Sequence, residues 1–317
     1  MNPMSISLVI SLYNEEAGAY RFWTDLLDAL SALDQYRFEV IWVNDGSTDG
    51  TQEIINRILS EKVPANITHQ PIEFSRNFGH EAAIIAGIDH SSGDAVLCMD
   101  SDGQHPPLQI QNMIRAFEDG NDIVLMERVS RDDNGFIKNM MSSAFYRCIN
   151  VLSAIRFENN ATDFFLISSE VAGVLKSNYR ERNRFIRGFI QSVGFKSTKL
   201  PFEAPARQFG TSNYSLLKLI KLAVNAIFTF SSVPLRISIF FSIAFILLTT
   251  LLGGYSLYMY LYGTAPPSGY TTIVLFLSFS FSLLFFTLAI LSAYFEKMIQ
   301  ETRSRPVYII KKRKAND

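Results

Sequence analysis

Short apolar runs and amphipathic stretches alternate through the first 130 residues. Ile6–Leu12 is apolar and ends in Tyr13-Asn14-Glu15-Glu16, and a helical spacing follows with Phe22, Leu26, Leu27 and Leu30 on one face. Phe38–Val43 predicts a second strand, ending in Asn44-Asp45-Gly46-Ser47-Thr48-Asp49, ahead of a helix through Ile54, Ile55, Ile58 and Leu59. Ile67–Phe74 is a weaker third strand, with a helix near Glu81–Asp89 behind it. Ala95–Met99 is a fourth strand and Ile123–Met126 a fifth. This alternation predicts right-handed βαβ units and a mostly parallel α/β sheet. Ligands of such sheets sit at the carboxyl ends of the strands.

The pattern then changes character. Between Arg236 and Glu296 there is no Asp, Glu, Lys, Arg or His. A bilayer core of about 30 Å needs roughly 20 helical residues to cross. The stretch holds two such spans, about 237–261 and 271–294, separated by the turn-forming Tyr262-Gly263-Thr264-Ala265-Pro266-Pro267-Ser268-Gly269. The tail beyond carries Lys297, Arg303, Arg305 and Lys311-Lys312-Arg313-Lys314, whereas the inter-span loop carries no basic residue. Positive-inside logic places the tail in the cytoplasm, and two spans return the N-terminal part to the same side. Met1–Ser7 has no basic n-region and Leu8–Leu12 is too short for an h-region, so no cleavable signal is expected. Just before the first span, Leu216, Leu217, Leu219, Ile220, Ala223, Val224 and Ile227 share a helical pattern with Lys218 and Lys221 interspersed. Such a helix suits either the bilayer interface or ordinary packing on the domain.

Composition narrows the classes. A net charge of −1 over 317 residues gives no electrostatic footprint for nucleic acid. Cys98 and Cys148 are isolated, with neither zinc spacing nor a disulfide framework.

Candidate chemistry gathers at three strand ends: Asn14-Glu15, Asn44-Asp45 and Asp100-Ser101-Asp102. Side chains alternate along a strand, so Asp100 and Asp102 point the same way. Two hard oxygen ligands on one face suit a divalent cation that completes its shell with phosphate and water. Taken alone, such a pair is more often a solvated turn or a helix cap before Pro106-Pro107, and Asp45 with Ser47-Thr48 equally fits a turn and cap. Neither GxGxxG after the first strand nor GxxxxGK[ST] occurs, which argues against glycine-loop dinucleotide and P-loop binding.

At these residues the chain resembles glycosyltransferase family 2, the inverting GT-A enzymes, and more narrowly the polyprenyl-phosphate glycosyltransferases. The likeness runs through Ser7–Glu16, Val43–Asp49, Ser75–Glu81, Met99–Pro107, Glu181–Gly188, Phe230–Arg236 and Arg305–Tyr308. It implies a Rossmann-like GT-A domain at 1–212, a juxtamembrane region at 213–235, two transmembrane helices within 236–295 and a basic cytoplasmic tail at 296–317. It also implies that Asp100, Asp102 and Gln104 hold Mg2+ or Mn2+ against the diphosphate of a nucleotide-sugar donor, a UDP-sugar by preference. Tyr13, Glu15 and Asp45 would seat the nucleoside. Arg128, Arg131 and Arg207 would meet phosphate charge, for which arginine's planar fork is suited. Asp163, in Asn160-Ala161-Thr162-Asp163-Phe164-Phe165-Leu166, matches the acidic residue near donor sugar and acceptor. Asp102, Asp163, Arg128 and Arg131 are thus the expected catalytic set.

The implied acceptor is undecaprenyl or another polyprenyl phosphate in a bacterial plasma membrane, the product a polyprenyl-monophosphate sugar for the cell envelope, and the assembly a homo-oligomer. A lipid phosphate is largely ionised near neutral pH, so its oxygen can attack the anomeric carbon without a strong general base. Asp163 is accordingly expected to orient rather than to take a proton. Several positions depart from the family pattern. Ser11 stands where proline is usual, which is expected to matter little. Phe165 replaces an arginine, Asn213 and His80 replace lysines, and Gly103 replaces a leucine, which points to an altered sugar or acceptor contact. Two alternatives remain: a polysaccharide synthase, disfavoured by the absence of QxxRW and of further spans, and a non-catalytic membrane scaffold, disfavoured by the intact Asp100, Asp102 and Gln104.

Overall fold

The computed structural model describes residues 3–129, 161–181, 186–203, 205, 233–262, 269–303 and 305–311. Its strands are β1 (Ser5–Leu12), β2 (Arg37–Asn44), β3 (Ile67–Glu73), β4 (Ala95–Asp100), β5 (Ile123–Arg128), β6 (Ala161–Ser168) and β7 (Ser197–Phe202). Its helices are α1 (Ala19–Ser31), α2 (Thr51–Ser60), α3 (His80–His90), α4 (Ile110–Glu118), α5 (Ser169–Asn178), α6 (Ile186–Ser192), α7 (Val233–Tyr262) and α8 (Tyr270–Thr302). The five strands expected from the apolar runs all form. β6 and β7 are additions, and β6 is the only one of the seven that runs against its neighbours.

The sheet order is β3-β2-β1-β4-β6-β5-β7. The chain winds outward from β1 through β2 and β3, then crosses back to lay β4 on the other side of β1. That reversal creates the crevice in which open α/β sheets bind ligands. The register aligns Ser11 with Asp100 across it, and Leu12 with Asn44 on the β2 side. Strand β6 is antiparallel to β4, with Cys98 opposite Phe165. Continuing that register sets Asp163 opposite Asp100, so the reversed strand delivers its first residues to the edge where the parallel strands finish.

Alternation along β1 explains the layers. Ile6, Leu8, Ile10 and Leu12 face a core shared with Trp23, Leu26 and Leu30 of α1 and Met113 and Ile114 of α4. Val9 faces the other way, against α3, and the approach is close: a Cβ on Gly87 would lie 2.0 Å from Val9 Cγ1. Gly87→Ala is therefore expected to cost about 1–3 kcal/mol, read from the urea midpoint. Adding Val9→Ala should make the double variant more stable than the summed single losses.

The chain divides into two compact units, one holding the sheet together with residues 305–311, the other holding the two long helices. Helices α7 and α8 have 30 and 33 residues, roughly 45–50 Å at 1.5 Å per residue, enough to cross a bilayer. The candidate spans are Leu235–Tyr255 and Phe279–Glu296. Phe245 packs on Phe276 and Phe279 between the two helices, with ring centroids 5.8 and 5.6 Å apart. Phe240, Leu251 and Phe285 point outward and stay exposed, as befits helices whose solvent is hydrocarbon. The interface stretch 214–230 lies outside the described residues.

Candidate active site at the β1–β4 crevice

The loops after β1 and β2 are bound to each other by their own polar side chains. Asn14 adopts a left-handed φ of 55°. Its Oδ1 accepts from Thr48 N at 2.9 Å, while its own N–H donates to Ser47 Oγ at 3.0 Å. Glu15 N–H donates to Thr51 Oγ1 at 2.9 Å, and Gly50 N–H to Glu16 Oε2 at 3.0 Å. Tyr13 is left nearly half exposed at the rim (46%), its ring available to a planar ligand.

Asp45 is almost fully buried and spends both oxygens on a third loop. Oδ1 accepts from Phe78 N–H at 2.6 Å and Oδ2 from Gly79 N–H at 2.9 Å. Burial pushes its pKa up, opposed by those two N–H groups and by the charges of His80 and Arg76. As described, the carboxylate anchors the 74–79 loop, and through it the start of α3, rather than facing outward.

Helix α3 begins with His80, which sits between Asp100 and Asp163. His80 Nε2 is 3.2 Å from Asp163 Oδ2 and 3.6 Å from Asp100 Oδ1. His80 Nδ1 lies 3.1 Å from Ser11 Oγ, whose hydroxyl donates to Asp100 Oδ1 at 3.3 Å. Burial alone would lower the imidazole pKa, but the Asp100 and Asp163 carboxylates outweigh it and raise it to about 9. The cation then donates from both ring nitrogens, to Asp163 and to Ser11. Ser11 is thus part of the site, contrary to the small weight given to its replacement of proline. A proline there could not link His80 to Asp100.

Asp163 is buried and receives Arg187 in a fork: Nε donates to Oδ1 at 2.6 Å, and the other arm pairs with Oδ2. Burial opposes ionisation of Asp163, but the Arg187 and His80 bonds dominate and hold it far below the usual carboxylate range. Both partners favour the ionised form and so weaken it as a base. Arg187 did not stand out in the sequence as a site residue. Its only signal there was membership of the Glu181–Gly188 stretch. Phe165, in the place of the usual arginine, is fully buried, and the guanidinium at Asp163 comes from α6 instead. Glu81 accepts from Ile186 N–H at 3.0 Å, tying the start of α6 to α3.

The β4 end is backed by His105, 5% exposed and stacked on Phe164 at 4.9 Å. Asp100 N–H donates to its Nδ1 at 2.8 Å, which fixes the Nε2–H tautomer. Asp102 Oδ1 accepts from Gln104 N–H at 3.0 Å. Asp102 also borders an open groove of about 350 Å³ that runs past Gly103 and His105 to Gly18 and Arg21 of the α1 entry.

One ligand atom each from His80, Asp100 and Asp163 lies within 4.8 Å of the others, a spacing that could hold a metal ion. In this arrangement His80 and Arg187 already neutralise Asp163, so Asp100 is the member with spare oxygen capacity, and Asp102 lies two residues on. Hard carboxylates and an amide oxygen at a strand end fit Mg2+ or Mn2+ in donor type. Arg128 ends β5, and among the described residues its Nε is buried without an acceptor. Arg131, Arg207 and Asn213 lie outside the described residues.

Residues 7–181 match the family profile "Glycosyl transferase family 2". The chain is 33% identical over 311 residues to "Bactoprenol glucosyl transferase" of Shigella phage SfX, covering 98% of this chain and all of that one. It is 33% identical over 310 residues to "Prophage bactoprenol glucosyl transferase homolog" of Escherichia coli (strain K12), covering 98% and 99%. Among solved structures, glucosyl-3-phosphoglycerate synthase from Mycobacterium tuberculosis, in complex with Mn2+, UDP-glucose and phosphoglyceric acid, aligns over 71% of this chain and 78% of its own. Its TM-score is 0.43 at 19% identity.

Proposed function

Because the chain belongs to glycosyl transferase family 2, we propose that it moves one sugar from a nucleotide sugar to a polyprenyl phosphate, inverting the anomeric centre. The observation that carries this reading is the meeting of Asp100, His80, Asp163 and Arg187 at the β1–β4 crevice, in a chain that also has two apolar helices of membrane-crossing length. Near full-length similarity to proteins named bactoprenol glucosyl transferase supports a lipid-phosphate acceptor. Tyr13 would stack on the base, with Glu15 beside it. Asp45 would act through the 74–79 loop it anchors. Arg128, with Arg131 and Arg207, would meet phosphate oxygens.

Asp100, Asp102 and Gln104 would hold Mg2+ or Mn2+, which when bound supplies positive charge to the diphosphate leaving group. The rest falls to the protein's own groups. His105 holds the Asp100 backbone, so the carboxylate is presented in one orientation. Arg187 and His80 hold the Asp163 pKa low, which makes it a weak proton acceptor and leaves it as a hydrogen-bond acceptor that can orient sugar hydroxyls. The acceptor phosphate brings its own anionic oxygen, so catalysis rests on positioning and charge stabilisation. Residues 305–311 pack in the same unit as the sheet, which supports an even number of crossings, with domain and tail both cytoplasmic.

The test is product identification. Membranes containing the chain, given polyprenyl phosphate and a panel of labelled UDP- and GDP-sugars, should yield an organic-phase product whose mass is one sugar on a polyprenyl monophosphate. A diphosphate-linked product, or no transfer from any donor, overturns the proposal.

A further inference from the structure

The tail beyond the second long helix returns to the sheet and lies along the open edge of β3. Ser75 N–H donates to Ile309 O at 2.9 Å and Lys311 N–H to Glu73 O at 2.7 Å, around an antiparallel bridge between Phe74 and Ile310. Lys311 Nζ adds an ion pair to Glu73 at 2.6 Å. Tyr308 stacks on Phe74 with centroids 5.2 Å apart and planes at 10°. Its hydroxyl donates to Asp89 Oδ2 at 2.8 Å, and Asp89 also receives Arg180 at 2.7 Å. A seven-residue segment is thus held by backbone, ring and charge together, 219 positions in sequence from the helix that Tyr308 reaches.

What it grips is the base of the 74–79 loop. Phe74 carries Tyr308 on one side and Phe78 on another, edge-on at 5.7 Å. Phe78 N–H and Gly79 N–H are the two donors to Asp45. The next residue is His80, between Asp100 and Asp163. An aromatic path therefore runs from the tail, through Phe74 and Phe78, to the carboxylate at the end of β2 and the cation at the crevice.

We propose that residues 305–311 are a positioning strap for the nucleotide-sugar site, with Tyr308 as its anchor, holding the 74–79 loop against Asp45 from outside. The proposal rests on reading this crevice as the donor site. The strap continues the chain of the second membrane helix, so ordering of the donor loop depends on a segment laid down after the hairpin. Without it, the β3 edge would be open at Phe74 and the loop would lose its outer support, leaving Asp45 as the inner hold.

The experiment compares full-length wild type with Tyr308→Ala and Tyr308→Phe, measuring amide exchange at 75–79 and donor KM separately from kcat. Tyr308→Ala is expected to speed exchange of the Phe78 and Gly79 amides, whose bonds go to Asp45 and not to the tail, by about tenfold and to raise donor KM by a similar factor. Amides of β1 and β4 should keep their protection. Tyr308→Phe, which keeps the stack and loses the Asp89 bond, should fall between. If Tyr308→Ala does not fold, Lys311→Pro, which deletes the donor to Glu73 O, replaces it. Unchanged exchange at Phe78 and Gly79, or faster exchange with donor KM unchanged, overturns the strap. A wild-type chain without transfer overturns the donor-site reading instead, and exchange at 75–79 still decides whether the tail holds the loop.

Discussion

Asp163→Asn is expected to lower sugar transfer by about 100-fold or more. The amide keeps the shape but not the charge, and Asp163 is the common acceptor of Arg187 and His80. Removing the anion leaves the Arg187 guanidinium facing a neutral amide and takes away one of the two carboxylates that raise the His80 pKa. Because the His80 and Arg187 side chains are partly exposed, the loss should be smaller than the about 3–5 kcal/mol of breaking a fully buried pair from one side. Thermal unfolding should therefore register the change as well as the rate. Arg187→Lys should be milder in stability, because a cation remains, yet still impair transfer, because an ammonium cannot reproduce the two-armed fork. Near wild-type transfer by Asp163→Asn would contradict the orienting role.

Gly46→Ala carries the second large effect, through backbone geometry alone. Gly46 has φ of 64°, and an added Cβ would stand 2.2 Å from Arg76 C and 2.5 Å from Asn77 N. These neighbours are main-chain atoms of the loop that Asp45 binds, so no rotamer change relieves the overlap. The left-handed residue and the forced separation together should cost roughly 3 kcal/mol. The loop must move away, breaking the Phe78 and Gly79 bonds to Asp45. Transfer should fall by about 100-fold, and urea unfolding should shift to a lower midpoint with the slope retained. Wild-type rate and stability in this variant would mean that the loop does not depend on the contact.

Much of this site could be read from residue order because it depends on local pattern. Ile6–Leu12 and Ala95–Met99 are apolar runs of strand length that stop at polar residues, and parallel pairing aligns those stops at one edge. The charge-free stretch after Arg236 was equally plain, since no soluble helix pair needs it. What escaped were contacts made by strand reversal and long separation. Nothing local in Ala161–Ser168 says that it runs antiparallel beside β4, yet that reversal is what sets Asp163 across from Asp100. Ser11 looked like a neutral replacement for proline because its two partners, His80 and Asp100, lie 69 and 89 positions away. Arg187 was hidden for the same reason, and the tail at 305–311 read as a basic terminus carrying the last stretch of the family likeness, Arg305–Tyr308, with nothing local to say that it closes the β3 edge.

The central claim is that the β4 carboxylates serve metal-assisted transfer to a lipid phosphate. Its most direct test is organic-phase incorporation of label from the active nucleotide sugar by purified wild type and Asp102→Ala, each with and without a divalent-metal chelator. The account predicts robust incorporation by wild type, its loss on chelation, and a fall of about 100-fold or more in Asp102→Ala even with Mg2+ or Mn2+ restored. Equal incorporation by the two proteins would contradict it.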